Sequence, residues 1–311
     1  MDISIPKATK SKILITGANG LLGQKLVEQL VERGEFVVIA TGKGPSRLNG
    51  EGFYYQELDI TDPAQVDQVI CEVAPAVIIH GAAITNVDQC ELNQEDCLKV
   101  NVKATEYLVS AAEKTQCHFI FVSTDFIFSG NAGPYNEEAT PDPVNFYGET
   151  KVAGEDLVRN SKTSWAIART VLVYGIANDL SRSNIILWVK NSLEVGKEIH
   201  VVNDQVRTPT LAEDLALGCI LIAEQRATGI FNIAGSDLLT PYEMAIQTAD
   251  YFGLDRNLIK ETDSARFSQP AKRPMKTGFI IEKARKQLGF EPKTFRTGIA
   301  ILAKQIILAR S

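Results

Sequence analysis

KILITGANGLLG, residues 12–23, is an apolar run of strand length that passes into three glycines and then into a helical pattern. Gly17 can take the positive φ of a tight turn, Gly20 lets the backbone approach a pyrophosphate, and Gly23 lets the helix pack close to the strand. The phosphates would lie at the helix N-terminus, where N–H groups and the helix dipole favour an anion. The stretch therefore predicts a dinucleotide-binding turn, with an ordinary strand-to-helix turn as the alternative.

The composition excludes several classes of partner. The chain has 311 residues, 45% hydrophobic residues and a formal net charge of −6. This charge provides no basic surface for nucleic acid or for an anionic membrane, so neither partner is expected. No apolar segment reaches the roughly 18 residues of a membrane span, and residues 1–11 lack the apolar core of a signal peptide. We therefore expect a cytoplasmic protein.

The cysteines and histidines suggest neither a metal site nor a nucleophile. The cysteines are scattered, odd in number and without a CxxC pair, which predicts reduced thiols in a reducing compartment. They are Cys71, Cys90, Cys97, Cys117 and Cys219. No His or Cys lies at metal-ligand spacing, so no metal is expected. His80, His118 and His200 have no Ser or Cys nucleophile pattern nearby, and we interpret them as packed or surface residues.

Strand-like and helical segments alternate along the chain, which predicts an α/β fold with a doubly wound parallel sheet. The predicted strands are Ile13–Thr16, Phe36–Ala40, Tyr54–Gln56, Val77–His80, Phe119–Ser123, Ala166–Ala168 and Ile230–Ile233. The predicted helices are Leu21–Arg33, Pro63–Cys71, Glu95–Lys114, Tyr147–Asn160, Leu180–Leu193, Leu211–Glu224, Pro241–Phe252 and Phe295–Leu308. Because the alternation fades after Tyr174, we expect a Rossmann domain of residues 1–178 and 206–234, and a smaller C-terminal substrate-binding lobe of residues 179–205 and 235–311.

The loop after the second predicted strand, TGKGPSR at residues 41–47, indicates which dinucleotide binds. An acidic residue there would bind the ribose 2′-hydroxyl of NAD. This loop has Lys43 and Arg47 instead, and both can pair with a 2′-phosphate. The loop therefore favours NADP, with NAD as the alternative. Two solvated loop cations are the other interpretation of the same residues.

Two further strand ends fit a dinucleotide. Asp59 and Ile60 follow the third predicted strand, where a carboxylate can accept a hydrogen bond from the adenine amine. Gly81, Ala82 and Ala83 follow the fourth strand, and their small side chains would let the cofactor cross the edge of the sheet.

Tyr147 and Lys151 are spaced i, i+4 at the start of a predicted helix, which places a phenol and an ammonium on one face. A nearby cation stabilises the phenolate and lowers the tyrosine pKa, so the pair predicts a proton donor or acceptor near neutral pH. Thr124 ends the preceding strand, and its hydroxyl can bond a reacting carbonyl. The alternatives are a surface pair and a plain strand-end residue.

With these residues in place, the chain resembles the extended short-chain dehydrogenase/reductase superfamily, and within it the dTDP-4-dehydrorhamnose reductase family, over nearly its whole length. The likeness lies in the GxxGxxG spacing and in GANGLLG (17–23), HGAAITNVDQCE (80–91), VSTDFIFSG (122–130), PVNFYGETKVAGE (143–155), ARTVLVYG (168–175), VVNDQVRTPTLAEDLA (201–216) and RPMKTGF (273–279). It implies that NADPH delivers hydride to a keto sugar, Tyr147 protonates the oxygen, and Lys151 also holds the nicotinamide ribose.

The resemblance assigns site residues in three groups. The catalytic residues are Thr124, Tyr147 and Lys151. The cofactor-binding residues are Gly17, Asn19, Gly20, Leu21, Leu22, Gly23, Lys43, Arg47, Asp59, Ile60, Gly81, Ala82, Ala83, Thr85, Tyr147 and Lys151. The substrate-binding residues are Thr124, Asp125, Asn184, Arg207 and Arg273. The partner implied is a nucleotide sugar, and a homodimer is left open.

Three positions bear on the type of reaction. Sugar-nucleotide dehydratases of the superfamily carry Asp-Glu after the catalytic Thr, whereas Asp125 is followed here by Phe126, which favours simple carbonyl reduction. Leu172 stands where the rhamnose reductases usually have Trp. Arg207 stands where they usually have Gly, and it can pair with a phosphate or form a structural ion pair.

The changes at Leu172 and Arg207 resemble the regulatory β subunit of methionine adenosyltransferase. A non-catalytic NADP-binding subunit that docks to another enzyme is therefore the second hypothesis. A sugar-nucleotide epimerase with tightly retained NAD is the third, and Lys43 and Arg47 argue against it.

Overall fold

The computed structural model describes residues 10–178 and 184–308. Its strands are β1 (Lys12–Thr16), β2 (Val37–Gly42), β3 (Phe53–Glu57), β4 (Val77–His80), β5 (His118–Thr124), β6 (Trp165–Thr170), β7 (Val173–Tyr174), β8 (Ile199–Val202), β9 (Thr210–Leu211), β10 (Gly229–Asn232) and β11 (Ile259–Thr262). Its α-helices are α1 (Leu21–Arg33), α2 (Pro63–Val73), α3 (Val87–Leu92), α4 (Gln94–Leu98), α5 (Ala104–Thr115), α6 (Phe146–Arg159), α7 (Ile185–Glu194), α8 (Ala212–Gln225), α9 (Pro241–Phe252), α10 (Glu282–Leu288) and α11 (Phe295–Leu308).

A seven-stranded sheet in the order β10-β6-β5-β4-β1-β2-β3 forms the centre of the protein. All neighbouring strands in this sheet pair in parallel. The chain moves outward from β1 to β3 on one side and from β4 to β10 on the other, so the order reverses between β1 and β4. A crevice at the carboxyl ends of strands forms at such a reversal. The predicted doubly wound parallel sheet is confirmed.

Helices cover both faces of this sheet. One face packs with α1 and α8, and Ile13 and Ile15 of β1 point to that side together with Leu26. The other face packs with α2 and α5, and Leu14 points there together with Leu108. Because both faces are buried, the central strands are almost continuously apolar instead of alternating.

A separate core follows β7. Strand β8 pairs with β11 in a two-stranded parallel sheet, and Val189 of α7 packs there with Ala249 of α9. Neither strand was predicted, because both contain exposed polar residues and lack the continuous apolar run of the equally short β4. Helix α10, in the predicted lobe, instead packs Ala284 and Leu288 in the core on the α1 and α8 face of the central sheet. The division into two lobes stays a prediction, and its limits at residues 1, 179 and 311 lie outside the described residues.

Two predicted helices differ in detail. The single helix predicted over Glu95–Lys114 consists of α4, a π-helical turn at Lys99–Lys103, and α5. The π turn carries Asn101, whose side chain donates to the carbonyl of Ile84 (3.0 Å) and accepts from its N–H (2.8 Å). The loop after β4 is therefore fixed by a helical side chain. The helix predicted over Leu180–Leu193 corresponds to α7 (Ile185–Glu194), and its predicted start at Leu180 lies outside the described residues.

Candidate active site

The turn between β1 and α1 has the backbone geometry that its glycines predict. Gly17 has a φ of +74°, and a Cβ built on it would lie 2.9 Å from the backbone of Ala82. A Cβ on Gly23 would lie 2.3 Å from the carbonyl oxygen of Gly17. Gly20 begins α1 without a side-chain cap, so the first N–H groups of the helix are available at the crevice. These features fit a dinucleotide phosphate, and the phosphate contacts themselves stay predictions.

Asn19 links this turn to the cationic loop, residues 43–47. Its side-chain amide donates to the carbonyl of Pro45 (3.0 Å) and to the hydroxyl of Tyr55 (2.9 Å). Its side-chain oxygen accepts from the backbone N–H of Arg47 (2.9 Å). The glycine turn and the predicted 2′-phosphate site are therefore one connected unit, which the sequence pattern did not reveal.

Lys43 and Asp59, predicted as separate cofactor contacts, form an ion pair with 2.8 Å between Nζ and Oδ2. The hydrogen bond from Lys43 lowers the pKa of Asp59 to about 2, and Asp59 raises the pKa of Lys43. The Lys43 side chain remains 80% exposed. The pair places one positive and one negative charge at the predicted adenosine end of the crevice.

Strand β5 and helix α6 bring the three predicted catalytic residues together. Thr124 ends β5, while Tyr147 and Lys151 lie in the first turns of α6. Asn145 caps α6 by accepting from the N–H of Gly148 (2.9 Å), which fixes where the helix begins. The Thr124 side chain lies beside the Tyr147 phenol and lowers its pKa. Their assignment as catalytic residues stays a prediction.

The side chain of Lys151 is held in place by strand β5. Its Nζ donates to the carbonyl of Val122 (2.8 Å) and lies 3.9 Å from the ring centroid of Phe121. The ammonium is therefore placed directly beside the end of β5, one helical turn from Tyr147.

Burial controls the acid–base behaviour of the pair. Burial raises the pKa of Tyr147; the Thr124 hydrogen bond lowers it in part and the Asp125 charge raises it further. The prediction that the pKa of Tyr147 is lowered is wrong for this structure. Burial removes the water that would stabilise the phenolate, and this effect on the pKa is larger than the lowering expected from Lys151. Burial also lowers the pKa of Lys151 to about 7, although Glu155 opposes the shift. At neutral pH Tyr147 is a neutral phenol.

Asp125 lies behind Thr124 in a fully buried cluster. Its Oδ1 accepts from the Thr124 hydroxyl (3.2 Å), and its Oδ2 accepts from the Thr277 hydroxyl. The same Oδ2 lies 3.7 Å from Nε of Arg207. Asp125 is 1% exposed and Arg207 is 4% exposed. Burial raises the pKa of Asp125, and the positive charge of Arg207 opposes that shift.

Arg207 is bonded to the protein on its other nitrogens. Nη1 donates to the carbonyls of Val206 (2.8 Å) and Met275 (2.9 Å), and Nη2 donates to the carbonyl of Pro274 (2.6 Å). Of the two interpretations of this residue, these contacts favour the structural ion pair. A contact of Arg207 with substrate phosphate stays a prediction.

Arg273 and Asn184, the other predicted substrate contacts, also have protein partners. Arg273 pairs with Asp88 of α3 (Nη2 to Oδ2, 2.7 Å), and this hydrogen bond lowers the pKa of Asp88. Asn184 caps α7 by accepting from the N–H of Leu187 (3.0 Å) and donates to the carbonyl of Gly175 (2.7 Å). The partner of Arg273 was missed because Asp88 lies 185 residues away in the sequence. The substrate contacts of Arg273 and Asn184 stay predictions.

The 271–279 segment joins three elements of the site. Arg273 pairs with Asp88 of α3, the Lys272 carbonyl accepts from the Asn145 side chain at the start of α6 (2.8 Å), and Thr277 donates to Asp125 after β5. The sequence pattern marked this segment only through its family motif, because its isolated strand-like bridges are too short to give a period.

Cys90 and Cys97 form a disulfide between α3 and α4. The prediction of reduced thiols is wrong for these two residues. The helices fold back at Asn93 and bring the two Cα atoms within 5.2 Å, a proximity that the sequence spacing does not reveal. The two cysteines pack in one cluster with Tyr147. Because these two residues are oxidised, the cysteines no longer indicate a reducing compartment. The other three cysteines, Cys71, Cys117 and Cys219, are free.

The histidines are packed or exposed, as predicted. His80 is buried between the hydroxyls of Thr16 (2.7 Å) and Thr105 (3.1 Å), and burial lowers its pKa to about 3. His118 is buried beside Ser164, and His200 is exposed.

Two other features concern residues 10–178 and 184–308, a membrane-spanning helix and a metal site. Within these ranges, no helix has the length and apolar character needed to cross a bilayer. The same residues contain no group of three or more His, Cys, Asp or Glu side chains placed to hold a metal ion.

Comparison with known proteins identifies the family to which the chain belongs. A probable low-salt glycan biosynthesis reductase of Haloferax volcanii is 31% identical over 290 residues, covering 93% of this chain and 96% of the relative. Methionine adenosyltransferase 2 subunit beta of Xenopus tropicalis is 32% identical over 305 residues, covering 96% and 88%. A crystal structure of dTDP-4-dehydrorhamnose reductase from Bacillus anthracis in complex with NADP aligns with a TM-score of 0.84 at 27% identity, covering 96% of this chain and 100% of that chain.

These matches confirm the predicted superfamily and the α/β fold. The Bacillus anthracis structure holds NADP, and the relatives include proteins described as reductases as well as the methionine adenosyltransferase subunit. The family model described as RmlD substrate binding domain matches residues 11–307. The chain therefore belongs to the RmlD substrate binding domain family.

Proposed function

We propose that this protein is an NADPH-dependent reductase of a nucleotide-activated keto sugar, with dTDP-4-dehydrorhamnose as the first candidate substrate. The observation that carries the proposal is the meeting of Thr124, Tyr147 and Lys151 beside the crevice that the glycine turn borders. The relatives described as reductases support the same chemistry.

The roles of the three side chains follow from their environment. Bound NADPH supplies the hydride for the C4 carbonyl. Tyr147 donates the proton that the new hydroxyl needs, and its raised pKa keeps it in the required acid form at neutral pH. Thr124 lies beside the phenol and orients it, while its own O–H is donated to Asp125. Lys151, fixed on the Val122 carbonyl, holds the nicotinamide ribose beside the phenol.

The residues after Thr124 favour reduction over dehydration. Phe126 occupies the position of the dehydratase glutamate, and its ring packs edge-on against Tyr147 with 5.9 Å between the ring centroids. Asp125, the neighbouring carboxylate, is engaged by Thr124, Thr277 and Arg207. Within the described part of the chain, this strand end thus supplies one proton donor, Tyr147, and its one neighbouring carboxylate, Asp125, is already engaged.

The direct test is oxidation of NADPH, followed by absorbance, with dTDP-4-keto-6-deoxy-L-mannose generated in place by the upstream enzymes. We expect turnover with NADPH and slower turnover with NADH in a parallel reaction. A protein that binds NADPH tightly but does not turn over this sugar would contradict the proposed substrate.

Lys43 is expected to contribute to the choice of cofactor, because its exposed ammonium lies at the predicted adenosine end. Replacing Lys43 by Ala should raise the KM for NADPH about tenfold, the loss expected for one charged hydrogen bond, and leave the KM for NADH nearly unchanged. Steady-state kinetics with both cofactors measures the difference. Lys114→Ala, which removes a surface lysine paired with Asp67, is the matched control. Equal losses with the two cofactors would argue against a 2′-phosphate contact.

A regulatory subunit is the second candidate function, and Leu172 favours it. Leu172 has a φ of +36° and is 42% exposed at the position where the reductases usually carry a sugar-contacting Trp. The 32% identity to methionine adenosyltransferase 2 subunit beta points the same way. This candidate predicts NADP binding without sugar reduction, and co-elution with a methionine adenosyltransferase catalytic subunit whose kinetic constants it changes. Turnover of the keto sugar together with no such co-elution would exclude it.

A further inference from the structure

We infer that Arg207 and Asp125 form a buried positioning pair for Thr124, in which Arg207 keeps Asp125 charged and the charged Asp125 fixes the Thr124 hydroxyl against Tyr147. The inference deepens the reductase function proposed above and rests on it.

The contacts form one continuous chain from Arg207 to the phenol. Arg207 Nε lies 3.7 Å from Asp125 Oδ2, and Asp125 Oδ1 accepts from the Thr124 hydroxyl at 3.2 Å. The Thr124 oxygen also accepts from the backbone N–H of Phe126 (3.3 Å), and the Thr124 side chain lies beside the Tyr147 phenol, whose pKa it lowers. Asp125 and Phe126 therefore fix the Thr124 hydroxyl next to the phenol.

The protonation state of Asp125 decides whether the Thr124 hydroxyl has one orientation or several. A carboxylate only accepts hydrogen bonds, so an ionised Asp125 gives the Thr124 O–H a single direction. A protonated carboxyl can also donate, which would offer Thr124 and Thr277 alternative orientations. Loss of the charge would therefore loosen the group that orients the proton donor.

Arg207 is placed to maintain that charge. Three backbone carbonyls fix its guanidinium, and two of them, at Pro274 and Met275, belong to the 271–279 segment. Burial raises the pKa of Asp125 even with Arg207 in place, and the positive charge of Arg207 limits that rise. A buried carboxylate that loses its counter-ion is expected to take up a proton.

Other ionisable groups near the phenol do not perform this task. Lys151, on α6, is bonded to the carbonyl of Val122. Cys90 and Cys97 pack against Tyr147 as a disulfide, which does not titrate. The charge of Asp125, by contrast, raises the pKa of Tyr147 beyond the effect of burial.

The kinetic test uses four variants: Arg207→Gln, Arg207→Lys, Asp125→Asn and the Arg207→Gln/Asp125→Asn double variant. We expect Arg207→Gln to lower kcat about tenfold at neutral pH and to change the KM values by less than about threefold, since orientation is lost and binding is not. Because its Asp125 now titrates at higher pH, its activity should fall on the acid side and recover as the pH rises. Arg207→Lys, which keeps the charge, should restore the parent profile.

The double variant decides whether Arg207 acts through Asp125. It should be no slower than Asp125→Asn alone, and it should lack the acid limb of Arg207→Gln, because the titrating group is gone. Additive losses, or an acid limb that persists in the double variant, would overturn the proposal. Asp214→Asn is the matched control, since Asp214 is a buried carboxylate paired with Lys293; it should lower stability without changing kcat or the pH profile.

An infrared measurement tests the pair without any substrate. Lowering the pH should produce the C=O band of a protonated buried carboxyl in Arg207→Gln at a higher pH than in the parent protein, and the band should be absent from the double variant. No such band in Arg207→Gln would overturn the proposal. If the band appears while the parent shows no turnover of the keto sugar, the charge coupling stands and the proposed reductase function is the part that fails.

Discussion

Replacing Tyr147 by phenylalanine is expected to lower kcat about 10²- to 10⁴-fold, the range for loss of a general acid, while the Kd for NADPH changes little. The phenol is the group that burial keeps protonated at the end of β5, and phenylalanine keeps the ring in its packing with Phe126. Single-turnover reduction and NADPH fluorescence titration measure the two quantities separately.

The control for this variant is Tyr107→Phe, which removes the hydroxyl of a partly buried tyrosine on α5 outside the candidate site. Its kcat should match that of the parent protein. Unchanged turnover in Tyr147→Phe would remove Tyr147 as the proton donor, whereas loss of NADPH binding would show that the residue acts mainly on the cofactor.

Replacing Glu155 by alanine is expected to reduce the free energy of unfolding by about 3–5 kcal/mol, the usual cost of leaving a buried charge without its partner. Glu155 of α6 receives two hydrogen bonds from Arg169 of β6, at 2.9 Å to Oε1 and 2.7 Å to Oε2. Both side chains are almost fully buried, so water cannot replace the lost carboxylate. Urea denaturation measures the change.

Two further variants distinguish the contribution of the buried ion pair to stability from the effect of any substitution in α6. Glu155→Leu/Arg169→Met removes both charges and should recover much of the loss, because apolar groups of similar size can replace a buried ion pair. Asp156→Ala, one residue later, removes a surface ion pair with Arg159 and should cost less than about 1 kcal/mol. If Glu155→Ala reduced the free energy of unfolding by no more than Asp156→Ala does, the buried ion pair would not contribute the stability expected of it.

Local patterns predicted the elements that depend on nearby residues. The run from β1 through Gly17 to α1 contains its own strand, turn and helix signals, and the structure has α1 at the predicted Leu21–Arg33. The i, i+4 spacing of Tyr147 and Lys151 likewise placed both side chains in the first turns of one helix. These features follow from periodicity and backbone conformation over a few residues.

Features that depend on distant contacts were not predictable in the same way. Arg207 contacts the carboxylate of Asp125 and backbone carbonyls of the 271–279 segment, and no periodicity in the sequence relates these positions. The direction of the Tyr147 pKa depends on burial by surrounding elements, so the neighbouring lysine alone gave the wrong sign. The Cys90–Cys97 disulfide depends on the turn between two short helices.

The position of the 271–279 segment also bears on how the protein matures on the ribosome. The glycine turn, Thr124 and the start of α6 all lie in the first half of the chain, whereas Thr277 and the carbonyls that hold Arg207 emerge much later. Helix α10 is also made late, and it packs in the core behind α1, so the sheet that borders the dinucleotide crevice and the cluster around Asp125 both await the last part of the chain. Neither cofactor binding nor the proposed reduction is therefore expected before translation is nearly complete.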